Sequence, residues 1–143
     1  MVPRDTRTGK VHEDMALLSL ERGKYKYKQN VYIGERPGGR KHKIDIFAQS
    51  REGSTFLISL KWQQSSGTAE QKVPFEVICL ADAVKNSRGR YKKAYLVLGG
   101  EGWTLRDFYT GGGLRTYFKD KYADLVEILS LESFVAKANN AEL

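Results

Sequence analysis

Two apolar runs, separated by a short turn, each hold one charged side chain where a charge is hardest to keep. In residues 41–48 (KHKIDIFA), Asp45 stands between Ile44 and Ile46; in residues 55–63 (TFLISLKWQ), Lys61 stands between Leu60 and Trp62. β-Branched and aromatic residues favour extended chain. Arg51-Glu52-Gly53-Ser54 between the runs reads as a turn, so the two runs are expected as a hairpin. Side chains alternate along a strand. That alternation puts Lys43, Asp45 and Phe47 on one face of the first run, and His42, Ile44, Ile46 and Ala48 on the other. In the second run, Phe56, Ile58, Leu60 and Trp62 share one face and Leu57, Ser59, Lys61 and Gln63 the opposite one. A charge among apolar neighbours is costly unless it is paired or used. Two accounts follow: a structural ion pair between the strands, or a reactive centre.

The rest of the chain supplies layers for this hairpin. Residues 1–9 read as a flexible basic arm, and 10–143 as a single domain. Residues 10–22 are helical, with Val11, Met15, Leu18 and the neighbouring Leu17 and Leu20 at helical spacing. Residues 24–33 are strand-like, and Pro37-Gly38-Gly39 marks a turn. Thr68 with Gln71 looks like a capping box opening a helix to about residue 85, with Pro74 near its start. Then follow a strand over 91–98, short helices over 104–109 and 114–119, a strand over 125–129 and a closing helix over 132–138. Gly111-Gly112-Gly113 separates the two short helices. The order is α-β-β-β-α-β-α-β-α. It specifies an α/β fold with a mixed central sheet flanked by helices, the later crossovers giving parallel pairs.

Charge narrows the partners. Lys and Arg number 24 against 17 acids, a net charge of +7. This suits a polyanion such as nucleic acid. Arg36, Arg40, Lys41 and Lys43 surround the first turn, and Arg88 and Arg90 flank Gly89, where flexible cations reach phosphates. No apolar run approaches the roughly 20 residues of a membrane span. No secretion signal is seen, and the lone Cys79 lies in an apolar stretch, so an intracellular setting is expected, cytoplasmic or nucleoid, with a phage-encoded origin as one option. His12 and His42 lack the clustered partners of a zinc site. The triple glycine does not fit a nucleotide-binding loop, and no small-molecule cofactor is expected.

The arrangement of Ile44-Asp45 on one arm and Ser59-Leu60-Lys61 on the next resembles the PD-(D/E)xK motif. The continuation from Trp62-Gln63 into Gly67-Thr68-Ala69-Glu70-Gln71-Lys72 resembles a variant of the same family. The resemblance covers residues 10 to 98 and implies a restriction-endonuclease-like core. Ile44 replaces the proline, which matters little; Ser59 replaces the acidic residue, so a carboxylate must come from elsewhere. Glu70 is the first candidate, with Asp45, for the metal; Glu76 is the next, and Glu13 fits an acidic position that members place on the first helix. Gln63 shares the face of Lys61. The resemblance implies an endonuclease that hydrolyses DNA with Mg²⁺, Mn²⁺ being able to substitute, as a homodimer on duplex or branched DNA. Asp45, Lys61, Gln63, Glu70 and Glu13 would form its active centre. The alternative is a DNA-binding protein that keeps the fold without catalysis, which Ser59 favours and Lys61 opposes.

Overall fold

The computed structural model describes residues 6–118 and 124–143. Its elements are α1 (Thr6–Arg22), β1 (Lys26–Glu35), β2 (Lys41–Gln49), β3 (Thr55–Trp62), α2 (Ala69–Asn86), β4 (Lys93–Gly99), α3 (Arg106–Thr110), a 3₁₀ turn (Gly113–Thr116), β5 (Val126–Ser130) and α4 (Leu131–Asn139). The five strands form one sheet in sequence order. β1, β2 and β3 are antiparallel, joined by tight turns, whereas β4 and β5 lie parallel to β3. Parallel neighbours need long crossovers, which the segments holding α2 and α3 supply. The fold is the expected mixed α/β, restriction-endonuclease-like sandwich.

Each face of the sheet has its own core. On one side Val73, Val77, Leu80, Ala81 and Val84 of α2 cover Leu57, Leu96 and Leu98. On the other, Ala16 and Leu20 of α1 and Leu131, Phe134 and Ala138 of α4 cover Phe56, Ile58, Tyr95 and Val97. Burying both faces of the parallel strands explains their nearly unbroken apolar sequence. No helix among the described residues is long and apolar enough to cross a membrane.

Several expectations change in the folded chain. α1 starts at Thr6, inside the segment expected as an arm; residues 1–5 lie outside the described residues. Its buried stripe is not the large apolar one: Val11, Met15 and Leu18 are exposed, while Ala16, Ser19 and Leu20 are buried. Small side chains win that face because α4 comes close. A Cβ on Gly23 would stand 2.0 Å from the Ala138 carbonyl oxygen. The capping box does not form. Thr68 has helical backbone angles (φ −86°, ψ −7°) and makes no side-chain cap, since capping needs an extended residue there. The segment expected as a helix over 114–119 contains only the 3₁₀ turn, and Lys119 lies outside the described residues.

The strand alternation also breaks at one place. Ile46 and Ala48 pack on the α1/α4 side, but Ile44 packs on the α2 side. The same switch occurs in β1, where Tyr27 and Val31 fall on opposite sides although an even spacing separates them. Asn30, with φ at 55°, lies between Gln29 and Val31, which pair with Ile46 and Ile44. This local rotation sits beside Asp45. The β2–β3 pairing also ends there, at Ile46 opposite Ile58.

Candidate active site

Beyond Ile46, β2 follows β1 and leaves β3, so the Leu60 amide has no strand partner from β2. The Asp45 side chain takes that place: Leu60 N donates to Asp45 Oδ2 over 2.7 Å. The carboxyl is half-buried. Burial pushes its pKa up. The Leu60 hydrogen bond and the Lys61 charge pull it down, and the Glu76 charge pushes it up again. Asp45 therefore stands in a gap between strands, with burial the chief cause of its raised pKa.

Lys61 lies on the α2 side, next to the buried Ser59. Its ammonium is 3.5 Å from Glu76 Oε1, and Arg36 Nη1 approaches the same oxygen to 3.8 Å. Glu76 comes from the sheet-facing side of α2. The spacing Val73, Glu76, Val77, Leu80 is that of a buried helical stripe, a signal present in the sequence. His42 is also buried there, and burial holds its pKa below the ordinary value, against the raising effect of Glu76. Arg36, expected as a surface contact for nucleic acid, instead reaches from the β1–β2 turn to α2. Nothing in its sequence neighbourhood announces that reach.

Glu70 occupies a different place. Its carboxylate accepts from the Thr104 hydroxyl (2.6 Å), the Leu105 amide (3.0 Å) and the Thr104 amide. These bonds, led by the Thr104 hydroxyl, hold its pKa below the usual glutamate range. It caps the first turn of α3 from outside. Its backbone oxygen accepts from the Tyr109 hydroxyl at 2.7 Å. Pro74, four residues on, has no N–H to offer that carbonyl, which is why it is open to Tyr109.

Gln63 is buried and clasps the loop after β4. Its main-chain nitrogen donates to Gly99 O, its main-chain oxygen accepts from Gly102 N, and its side-chain amide donates to Gly102 O. Gly100, at φ +97°, passes so close that a Cβ there would stand 2.2 Å from Gln63 O. Gln63 Oε1 is buried without a hydrogen-bond partner among the described residues. Glu13 accepts from Gln29 over 3.1 Å and lines, with His12, Leu60 and Trp62, a small cavity of about 30 Å³ on the α1 side. The structure thus gathers Lys61, Glu76, Arg36 and His42 on the α2 side, leaves Asp45 in the gap between strands within reach of the Lys61 and Glu76 charges, sets Glu13 across the sheet, and binds Glu70 and Gln63 into the loop after β4. Arg40, Lys41 and Lys43 are exposed on the β1–β2 arm beyond Asp45; Arg88 and Arg90 are exposed at the amino end of β4.

An acid placed where two paired strands part, with a lysine on the second strand, is the arrangement that the sequence motif required. Residues 6–142 match the PD-(D/E)XK nuclease superfamily domain. The chain belongs to that superfamily. No curated protein matches it. The crystal structure of a protein of unknown function, AF1548, superposes at a TM-score of 0.47 with 11% identity, over 83% of this chain. The present chain spans 57% of that protein. Within the nuclease superfamily the departure at Ser59 is a buried one: the hydroxyl stands where the motif has a carboxylate, and the charge facing Lys61 comes from Glu76.

The donors suit a hard cation. Among the described residues no three His, Cys, Asp or Glu side chains form a cluster able to hold a metal. Mg²⁺ does not need one: it takes one or two carboxylates and completes its shell with water and substrate phosphate. A neighbouring cation would favour the ionised form of Asp45, which is half-buried and above its ordinary pKa.

Proposed function

We propose that this protein is a metal-dependent endodeoxyribonuclease, with Asp45 and Glu76 holding Mg²⁺ or Mn²⁺ and Lys61 acting on the scissile phosphate. The supporting observation is the gap at Asp45, where a half-buried carboxyl of raised pKa lies near a Lys61–Glu76 ion pair. When bound, the ion would polarise the phosphate and lower the pKa of a water. The chain's own groups do the rest. The Leu60 amide fixes Asp45 Oδ2. Lys61 Nζ faces the charge that grows on the phosphate oxygens and steadies it without reorganisation. Arg36 offsets part of the Glu76 charge and fixes its carboxylate. In the reaction a water oxygen bonds to phosphorus and gives up a proton, while the bridging P–O bond breaks and the leaving oxygen gains one.

Glu70 supports this centre as a loop anchor in the present reading, and Gln63 as a clasp beside Lys61. Glu13, held by Gln29 on the α1 side of the sheet, takes no part in this centre. Arg40, Lys41 and Lys43 of the β1–β2 arm supply phosphate contacts at the same end of the sheet. A homodimer would bring two centres to two strands. The exposed stripe Val11, Met15, Leu18 is an apolar surface available for that contact, and light scattering on wild type and Met15→Glu tests it.

The deciding assay incubates the protein with supercoiled plasmid, linear duplex and four-way-junction DNA, with and without Mg²⁺ or Mn²⁺, beside Asp45→Ala and Lys61→Ala. Metal-dependent cleavage by wild type alone is expected. Ser59 favours one other reading, a binding protein of the same fold. Tight DNA binding with every substrate intact, and no Mn²⁺ bound in direct titration, would establish that reading instead.

A further inference from the structure

Among the described residues, two groups of exposed cations stand at opposite ends of the sheet, and only one of them belongs to the candidate active site. Pairing registers fix the other end. Lys26 of β1 lies opposite Gln49 of β2, Gln49 opposite Thr55 of β3, and Phe56 opposite Lys93 of β4. This row is the end at which β3 and β4 begin. Three turns project from it: Lys24 after α1, Arg51 between β2 and β3, and Arg88, Arg90 and Lys92 between α2 and β4. With Lys26, all of these are exposed. Two hydrogen bonds tie the last turn to β3: the Lys92 amide donates to Thr55 O at 2.8 Å, and the Thr55 hydroxyl donates to Arg90 O. The acids nearby include Glu21 at the end of α1, Glu52 in the β2–β3 turn, Asp82 in the last turns of α2, Glu127 of β5, which pairs with Lys93 at 2.7 Å, and Glu142 near the end of the chain.

Strand spacing gives the size of this surface. Neighbouring strands lie about 4.8 Å apart, so β1 to β4 spans roughly 14 Å, enough to meet several phosphates. Thr55 and Lys61 are six residues apart on β3, about 20 Å at 3.3 Å per residue. Between the two ends, α2 covers one face and α1 with α4 the other. A duplex running along the free edge of β1 would pass Lys26 and Lys28. It would not reach Arg88, Arg90 and Lys92, three strands away. A straight duplex on that edge therefore does not serve both clusters.

We propose that this second end is a separate phosphate-backbone site, so that one chain engages two duplex segments, as branched or looped DNA presents them. The inference rests on the nuclease reading for the nature of the ligand, but not on catalysis. Binding is therefore measured without metal, against a short duplex of about one helical turn and a four-way junction. Three proteins are compared: wild type, a far-end variant (Arg51→Ser, Arg88→Ser, Arg90→Ser and Lys92→Ser combined) and a near-end variant (Arg40→Ser, Lys41→Ser and Lys43→Ser combined). The positions are exposed, so unchanged thermal melts verify folding. At low salt, wild type is expected to bind two short duplexes per chain and each variant one. On the junction, the far-end variant should lower the slope of log affinity against log salt by about 3 to 4, near 0.9 per lost phosphate contact. Its cleavage of short duplex at saturation should remain that of wild type. A single duplex per wild-type chain, with the far-end variant unaltered in affinity and slope, would overturn the proposal. So would a far-end surface that binds anionic lipid vesicles but no DNA. Loss of all DNA binding by wild type would instead sink the nuclease reading.

Discussion

Burial holds the Asp45 carboxyl above its ordinary pKa, and the Leu60 amide recovers only part of the cost. The sign for stability follows. The ionised form is disfavoured in the fold, so the stability is full below the unfolded pKa, near 3.8, and is lost as pH rises through the folded value. Asp45→Asn should therefore melt higher than wild type at pH about 7, with the gap closing in acid. Thermal melts across pH measure this; a variant less stable than wild type at neutral pH would contradict it. Added Mg²⁺ should raise the melting temperature of wild type and not of Asp45→Asn, since an ion that binds only the folded state stabilises it. Glu70 has the opposite sign. Its pKa is depressed by Thr104 and Leu105, so its contribution is present above its ordinary value of 4.5 and disappears as pH falls through the folded one. Glu70→Gln should lower the melting temperature at neutral pH and leave it less sensitive to mild acid. Equal melting of variant and wild type at neutral pH would contradict that. At this scale Asp45 and Lys61 were legible, because a charge flanked by Ile44 and Ile46, or by Leu60 and Trp62, stands out in any register. The choice between Glu70 and Glu76 was not: both follow helical spacing from Val73, and only the return of the loop at 103–105 claims Glu70.

The elements repeat this division between local and distant causes. Every strand and the longer helices announced themselves by alternation, by β-branched, aromatic or continuous apolar runs, or by helical spacing, to within a few residues at the ends. The buried face of α1 did not. Its Val11, Met15 and Leu18 look like a core stripe, yet the close approach of α4 at Gly23 selects Ala16 and Ser19. The strand rotation at Asn30 and Asp45 was hidden as well, since a strict period of two forbids it. Pro74 lies in the early part of α2, where the sequence already placed it. What no local pattern could show is that Tyr109 replaces the missing donor to the Glu70 carbonyl. Tyr109→Phe removes that donor and leaves the carbonyl buried. It should cost about 1–3 kcal/mol in urea unfolding. A loss well under half of that would mean that the carbonyl finds another partner.

At the scale of the molecule, two apolar layers hold a sheet whose β1–β2 arm extends past the end of the β2–β3 pairing. Phe134 is fully buried between α4 and the sheet, edge-on to Tyr95. Phe134→Ala should lower the unfolding free energy by about 3–5 kcal/mol with an unchanged urea slope. The order of helices and strands was readable, and with it the restriction-endonuclease-like fold, because short turns and long crossovers leave few topologies. The separation of the basic clusters into two ends was not readable, since it depends on which strand ends lie together. The central claim is that Glu76, and not Glu70, supplies the carboxylate missing at Ser59. The most direct measurement is the Mg²⁺-dependent cleavage rate of Glu76→Gln beside Glu70→Gln, both below their melting temperatures and at saturating DNA. Glu76→Gln should lose at least about a hundredfold, the scale of removing one electrostatic group at a reacting centre. Glu70→Gln should stay within severalfold of wild type. A near-normal Glu76→Gln with a dead Glu70→Gln would contradict the account.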